Sequence, residues 1–304
     1  MTSTLIDPLM LRPGSLIESG PEDRYFDYCL EPYRPRRAWR GKLRSENILW
    51  HSLAVGGVAD ALRPSLLAIQ ESLGRDMTVW GVKWDGSRLF WEVYVYDPLK
   101  EEPLATAHAI SEAIRPWIQV LPAPRESIPY AMVSFDLDAV IAARGTVEEL
   151  NLYLVGEVGH AGRSYKLRAD APGSVGVYEL ENTYRFLDAK REIDHILPLI
   201  QASVFVDYTN AAMLSKVLLP ELFACKKICV AKKRRADGIY FSGIAVEQLV
   251  FFLERFGYPT ALLEFVKRHR ERFEHLSFDV GIDYRPGADG STIVYPKTSF
   301  YGTF

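Results

Sequence analysis

The runs MTVWGVKW and SRLFWEVYVYD, separated by Asp85-Gly86, do most to limit what this chain can fold into. Asp-Gly between two stretches of aromatic and β-branched residues is the strongest short-range hairpin signal, because Asp and Gly tolerate the positive φ that tight turns need. It predicts a hairpin over 77–96. Four further pairs read the same way: YAMVSFDLD with EELNLYLVG (130–138, 148–156), SYKLRAD with VGVYELE (164–170, 175–181), KKICVAKKRR with IYFSGI around Asp237-Gly238, and HLSFDVGIDY with STIVYPKTSFY (275–284, 291–301). Between them, apolar residues at helical spacing predict helices over 48–73, 104–119 and 211–223, and a helical pair over 246–273 broken at Gly257-Tyr258-Pro259. Another helix is expected over 183–203, with Asn182 as N-cap and Phe186, Ile193, Ile196, Leu197 and Ile200 on one face.

The expected fold is therefore α/β in the α+β sense: ten antiparallel strands in five hairpins, interleaved with helices. A twisted sheet of that size tends to split or close on itself, so it should form a barrel-like sheet with the helices outside. Residues 1–46 are rich in Pro and Arg (Arg34, Arg36, Arg37, Arg40, Arg44), lack periodicity and read as an N-terminal arm, leaving 47–304 as a single domain. With 48% hydrophobic and 25% charged residues, the 304-residue chain is neither disordered nor fibrous, and a net charge of −3 speaks against a protein that coats nucleic acid or an acidic membrane. The first residues carry Pro8 and Pro13 and no basic stretch, and no apolar run approaches the ~20 residues that span a bilayer. A cytoplasmic protein without a membrane partner is expected. Cys29, Cys225 and Cys229 read as reduced core thiols, since no second Cys or His pair stands at zinc-site spacing.

Strand alternation assigns faces. A two-residue turn at Asp85-Gly86 would oppose Lys83 to Arg88 and Val79 to Glu92. One face then holds Trp80, Val82, Leu89, Trp91 and Val93, and the other Lys83, Arg88, Phe90, Glu92, Tyr94 and Tyr96. A turn at Asp237-Gly238 would oppose Arg235 to Tyr240, placing Lys227, Cys229, Lys233, Arg235, Tyr240 and Ser242 on one face against Ile228, Val230 and Phe241 on the other. The second strand of each hairpin also carries a tyrosine in a comparable position: Tyr94, Tyr153, Tyr178, Tyr240 and Tyr295. In an open sheet the mixed face is simply the solvated side; in a barrel it lines a lumen.

A lumen of cations and tyrosines suits one chemistry in particular. The cations can neutralise a diphosphate, the π faces can stabilise the carbocation left when it departs, and a carboxylate such as Glu92 can take the proton of an aromatic acceptor. Helix-flanked hairpins with inward tyrosines and cations resemble the ABBA, or PT-barrel, aromatic prenyltransferases, and RLFWEVYVYDP looks like the family's early strand with its acidic residue. The resemblance implies metal-independent transfer of a prenyl group from a prenyl diphosphate to an aromatic small molecule, with no cofactor. It makes Glu92 the base, the five tyrosines the cation screen, and lysines and arginines the diphosphate site. The chain departs from that pattern in two places. The family carries a Lys two residues before a Tyr, whereas here Asn151 precedes Tyr153 and Gly176 precedes Tyr178, so the diphosphate charge falls to Lys83, Arg88, Lys166, Arg168, Lys227, Lys233 and Arg235. Hairpins two and three are also joined by GEVGHAGR alone, without helices.

Two other functions compete: a non-catalytic barrel that binds a small molecule or partner, and a nucleic-acid module using the six basic residues of 226–235 beside Tyr240 and Phe241. There is no DDxxD cluster, HExxH pair or G-x-S-x-G elbow, so the metal-dependent helical isoprenoid enzymes, zinc peptidases and α/β-hydrolases are not indicated. Gly156-x-x-Gly159-x-x-Gly162 is followed by a strand and reads as a flexible turn, because a phosphate cradle needs a helix N-terminus behind it.

Overall fold

The computed structural model describes residues 15–96, 106–125, 130–155, 161–174, 176–208 and 211–304. Ten strands close into an antiparallel barrel: β1 (Thr78–Trp84), β2 (Leu89–Tyr96), β4 (Met132–Leu137), β6 (Glu149–Val155), β7 (Ala161–Arg168), β8 (Val177–Asp188), β9 (Lys227–Lys233), β10 (Asp237–Ile244), β11 (Phe278–Pro286) and β12 (Ile293–Thr303). Each pairs with its neighbours in chain order, and β12 returns to β1. A small parallel pair, β3 (Gln119–Val120) with β5 (Thr146–Val147), lies outside the ring.

Closure follows from the two-sided strands. The outward set, including Trp80, Val82, Trp91, Val93, Phe135, Leu152, Ile228, Phe241, Val280 and Phe300, is buried in one continuous core beneath the helices. Helices α1 (Glu46–Val55) and α2 (Ala59–Leu73) cover β1, α5 (Ile193–Gln201) covers β8 and β9, and α7 (Val246–Arg255) covers β11. The others are α3 (Ala107–Ile114), α4 (Ala139–Arg144), α6 (Ala211–Val217), α8 (Thr260–Arg268) and α9 (Arg270–Phe273). The expected helix 48–73 divides at Gly56-Gly57, where Gly57 takes φ 71°. In the expected 211–223, the α-helix stops at Val217 and only a short 3₁₀ turn follows at Pro220. No helix among the described residues is long and apolar enough to cross a membrane.

Three local expectations need correction. The first turn holds four residues: Lys83 stands opposite Phe90 and Trp84 opposite Leu89, while Asp85 Oδ1 accepts the amides of Ser87 and Arg88 at 2.9 and 3.0 Å. Arg88 therefore belongs to an exposed turn, paired with Asp85 at 3.1 Å. Asp237-Gly238 is not a turn at all. Asp237 is buried inside β10 opposite Lys232, and the chain reverses over 233–236, where Lys233 N donates to Ala236 O at 3.2 Å. Arg235 is thus exposed on that turn. Both displacements are even numbers of residues, so every strand residue keeps its assigned side. Finally, the N-terminal part of the expected helix 183–203 is strand. Asn182 donates to Ser164 Oγ (3.0 Å) and Tyr184 Oη (2.8 Å) instead of capping, and the alternation of Tyr184 and Phe186 with Thr183, Arg185 and Leu187 lets β8 bridge β7 and β9.

The lumen obtains room for large rings through glycine. Gly81 stands opposite Tyr301, Gly162 opposite Tyr184 and Gly281 opposite Tyr240. Each tyrosine lies across the bare backbone of its partner strand. A Cβ at Gly281 would come within 2.5 Å of the Tyr240 ring. Gly281→Ala is accordingly expected to cost about 1–3 kcal/mol, as overpacked cores do, and to lower the thermal melting temperature. An unchanged melt would mean that Tyr240 is not held against β11.

Candidate functional site

At the barrel end where β1 begins and β2 finishes lies a cavity of about 930 Å³. Its wall is a chain of aromatic rings. Tyr153 lies 6.1 Å from Tyr94 and 6.2 Å from Tyr184, Tyr184 is 6.2 Å from Phe186, Tyr301 is 5.8 Å from Tyr94 and 6.3 Å from Tyr240, and Tyr96 also lines the space. The N-terminal arm supplies one more ring. Tyr28 stacks on Tyr240 at 6.2 Å and tilts against Tyr301 at 5.6 Å. It is fixed there because its amide donates to Asp279 Oδ2 (2.8 Å) and its carbonyl accepts from Tyr96 Oη. The turn beneath it is knotted by Asp27, whose Oδ1 accepts the amides of Cys29 and Glu31 at 2.9 and 3.0 Å while Leu30 takes φ 56°. Burial pushes the phenols of Tyr28, Tyr94, Tyr153 and Tyr240 well above their usual range and that of Tyr184 up to about 12. The rings are therefore neutral, offering π faces and hydroxyl groups.

Below this wall lies Glu92, buried at 3% exposure, which is not itself on the cavity surface. Its carboxylate is paired with Lys83 and accepts from Tyr94 Oη, Ser134 Oγ and, at 3.3 Å, Asn151 Nδ2. Burial alone would raise its pKa, but the Lys83 ammonium and these hydrogen bonds outweigh it and hold the group down at about 2. Lys83 also binds Asp136 at 2.6 Å.

The other expected cations divide between the two barrel ends. Lys166 and Arg168 share Glu149 at 3.0 and 2.6 Å near the far rim, and Lys233 pairs with Asp283, which also takes Lys297 at 3.3 Å. Lys233 Nζ reaches Tyr240 Oη at 2.8 Å. Lys227 stands at the cavity mouth, paired with Glu31. Arg88 and Arg235 are outside the barrel, as described above. The seven cations thus form no single cluster, and each of those inside or on a rim has a carboxylate partner.

Of the five tyrosines, Tyr94, Tyr153 and Tyr240 face the cavity. Tyr178 and Tyr295 do not. Each lies beyond a β-bulge, the first in β8 opposite Ser164/Tyr165 and the second in β12 opposite Asp283/Arg285, and one extra residue reverses the phase of everything after it. Tyr178 Oη consequently accepts from Arg125 N at 2.9 Å, and Tyr295 packs on Phe256 and donates to Lys216 O at 2.6 Å.

Sequence reasoning missed Tyr28, Tyr184, Phe186, Tyr301, Arg163 and Arg191. Period-two alternation in TYRFLD, and the phase of Lys297 and Ser299 extended to Tyr301, would have found three of them. Arg163 and Arg191 line the mouth beside Lys227, and among the described residues neither forms an ion pair. The mouth also holds carboxylates: Asp188 Oδ1 accepts the amides of Lys190 and Arg191, both at 2.9 Å, and the charges of those two side chains stabilise it, while Glu192 Oε2 accepts the amide of Asp188 at 2.7 Å. The site is thus an aromatic, neutral chamber with Arg163, Arg191 and Lys227 beside Glu31, Asp188 and Glu192 at its entrance. It can hold an apolar or aromatic body with an anionic head.

The basic run 226–235 is not a solvated stripe. Ile228, Cys229, Val230 and Ala231 are buried, Lys227, Lys232 and Lys233 are ion-paired, and Arg234 binds Glu179 at 2.6 Å. Gly156 and Gly159 lie outside the described residues, and Gly162 is in β7. No group of three or more His, Cys, Asp or Glu side chains that could hold a metal is present among the described residues. The sequence matches no protein-family model and no curated protein.

Proposed function

We propose that this barrel takes a prenyl diphosphate into its aromatic chamber and transfers the prenyl group to an aromatic small molecule. The observation that carries the reading is the continuous wall of neutral aromatic rings around a cavity of about 930 Å³, with Arg163, Arg191 and Lys227 at its mouth. The prenyl chain lies among the rings and the diphosphate faces the mouth. The allylic C–O bond breaks with its electron pair leaving on the diphosphate, and the tyrosine π faces stabilise the cation. The acceptor's π electrons form the new C–C bond, and its displaced proton leaves through Tyr94, which passes its own proton to Glu92. Glu92 acts at one remove, as the anion that orients Tyr94 and Tyr153, instead of touching the acceptor. The protonated acceptor is so strong an acid that a carboxylate held near 2 still serves as the sink.

A second reading, a barrel that binds such an amphiphile without reacting it, is favoured by the full pairing of the interior lysines with carboxylates. Calorimetry with geranyl diphosphate in EDTA, followed by mass spectrometry after incubation with a panel of phenols and indoles, tests both. Transfer reads as heat of binding plus acceptor mass gain, and the second reading as heat without mass gain. Absence of heat overturns both.

A further inference from the structure

Behind the cavity mouth, on the outer surface of the same rim, is a separate cleft of about 300 Å³. Its walls come from two parts of the chain. Arg34 and Arg36 belong to the arm, whereas Lys190 lies between β8 and α5 and Lys226 immediately precedes β9. Among the described residues the cleft is lined by these four basic residues with Ala224, Cys225, Gly243 and Ser277, and by no carboxylate.

On the barrel strands the lysines Lys83, Lys166, Lys227, Lys232, Lys233 and Lys297 all lie within 4.0 Å of a carboxylate. Among the described residues, none of the four cleft cations does. The positions of Arg36 and Lys226 are set by specific contacts. Arg36 anchors one guanidinium N–H on Gly243 O at 2.6 Å and its amide on His275 O at 2.9 Å, which leaves a planar fork of further donors beside the cleft. Lys226 lies over the Tyr33 ring at 5.1 Å. It crosses Gly243 so closely that a Cβ there would be 2.9 Å from Lys226 Cγ, and Gly243 takes φ 77°. The two carboxylates nearest Lys190 in sequence are held by backbone amides: Asp188 accepts those of Lys190 and Arg191, and Glu192 accepts that of Asp188.

Four basic side chains line one cleft, none of them within 4.0 Å of a carboxylate among the described residues, so the cleft can receive an anion, and its volume matches the small end of ligand sites. We propose that this cleft binds a phosphate-class anion, either free diphosphate or the phosphate of a small ester, which bridges Arg34 and Arg36 of the arm to Lys190 and Lys226 of the barrel. The same arm carries Tyr28 into the chamber shortly before it reaches Arg34, so occupancy of the cleft ties down the segment that bears this ring. The site is independent of the reaction proposed above, since none of its residues lines the chamber.

Hydrogen exchange of the arm segment 25–36 reads the bridge directly. The double variant Arg163→Ala/Arg191→Ala, which weakens the chamber mouth, is titrated with inorganic diphosphate, with glycerol phosphate, and with sodium chloride at matched ionic strength. Diphosphate is expected to slow exchange in 25–36, and adding Arg34→Ala and Lys190→Ala, both at exposed positions, should weaken its half-saturation tenfold or more. Lys190→Arg should retain binding. An equal effect of glycerol phosphate assigns the site to phosphate esters as well, and none assigns it to the free anion. Protection that survives Arg34→Ala/Lys190→Ala, or that chloride reproduces, overturns the proposal, and a melting curve for each variant separates this from misfolding.

Discussion

Replacing Lys83 with methionine is expected to lower the unfolding free energy by about 3–5 kcal/mol, and the melting temperature by roughly 5–10 °C, because it strips the counter-charge from a buried carboxylate. Glu92 is 3% exposed and Lys83 4%, so water cannot replace the lost partner. Tyr94, Ser134 and Asn151 remain as donors, and the carboxylate responds by taking up a proton, with its pKa rising above the depressed value it now has. The pH dependence follows. In the parent chain the folded pKa of Glu92, about 2, lies below that of the unfolded chain, so its contribution is complete above the ordinary glutamate range and is lost as pH falls toward 2. In Lys83→Met that acid-labile contribution shrinks, and the stability gap between the two proteins should narrow below pH 4. Chemical denaturation across pH 2–7 measures it, and a gap independent of pH would mean that Glu92 is not held ionised by Lys83. The double variant Lys83→Met/Glu92→Gln should recover part of the loss, since it removes the stranded charge.

What the sequence made legible was facing, and what it hid was phase. Ten strands, their hairpin pairing and the two sides of β1, β2, β9 and β10 follow from alternation, which survives a displaced turn because the cross-strand partners shift by two and by six residues, both even. Alternation fails where a strand gains one residue, and that is why Tyr178 and Tyr295 were expected inside but lie among the outer helices. Glu181 carries no local signature of its bulge, whereas Pro296, which cannot donate to the ladder, is a bulge signal that alternation alone passes over. The mirror-image clue was present: each inward tyrosine that crosses a neighbour, Tyr184, Tyr240 or Tyr301, stands opposite a glycine, but using it requires the register first. Tyr28 had no signal at all, since an irregular arm places it through Asp27 and Asp279 over a separation of some 250 residues in the chain.

The cations taught a related point. Charge in a sequence reveals which strands hold lysine, but not which lysines are already neutralised. Lys166, Lys227 and Lys233 are the natural choices for an anion, yet each meets a carboxylate contributed by another segment, while Arg163 and Arg191, one on a strand and one in a turn, have no carboxylate within 4.0 Å among the described residues. Long-range pairing of this kind fixes the electrostatics of the barrel and is invisible before the strands are arranged around it.

Filling the chamber gives the largest expected change in ligand binding, whatever the chemistry that follows. Gly162 lines the cavity, and a Cβ there meets its nearest atoms at 3.7 Å, ordinary contact, so a larger side chain can enter without displacing backbone. Gly162→Phe projects a ring beside Tyr184 and Phe186, into the space proposed for the prenyl chain. Burying an apolar chain gains about 0.8 kcal/mol per methylene, so keeping four carbons out costs about 3 kcal/mol, roughly a hundredfold in Kd. Geranyl diphosphate affinity should therefore fall by about two orders of magnitude, while inorganic diphosphate, which has no chain to place, should bind as before. Equal losses for both would locate the defect at the charged mouth instead of the chamber. Undiminished geranyl diphosphate binding would mean that the chain lies elsewhere on the protein, and the aromatic wall would then need another occupant.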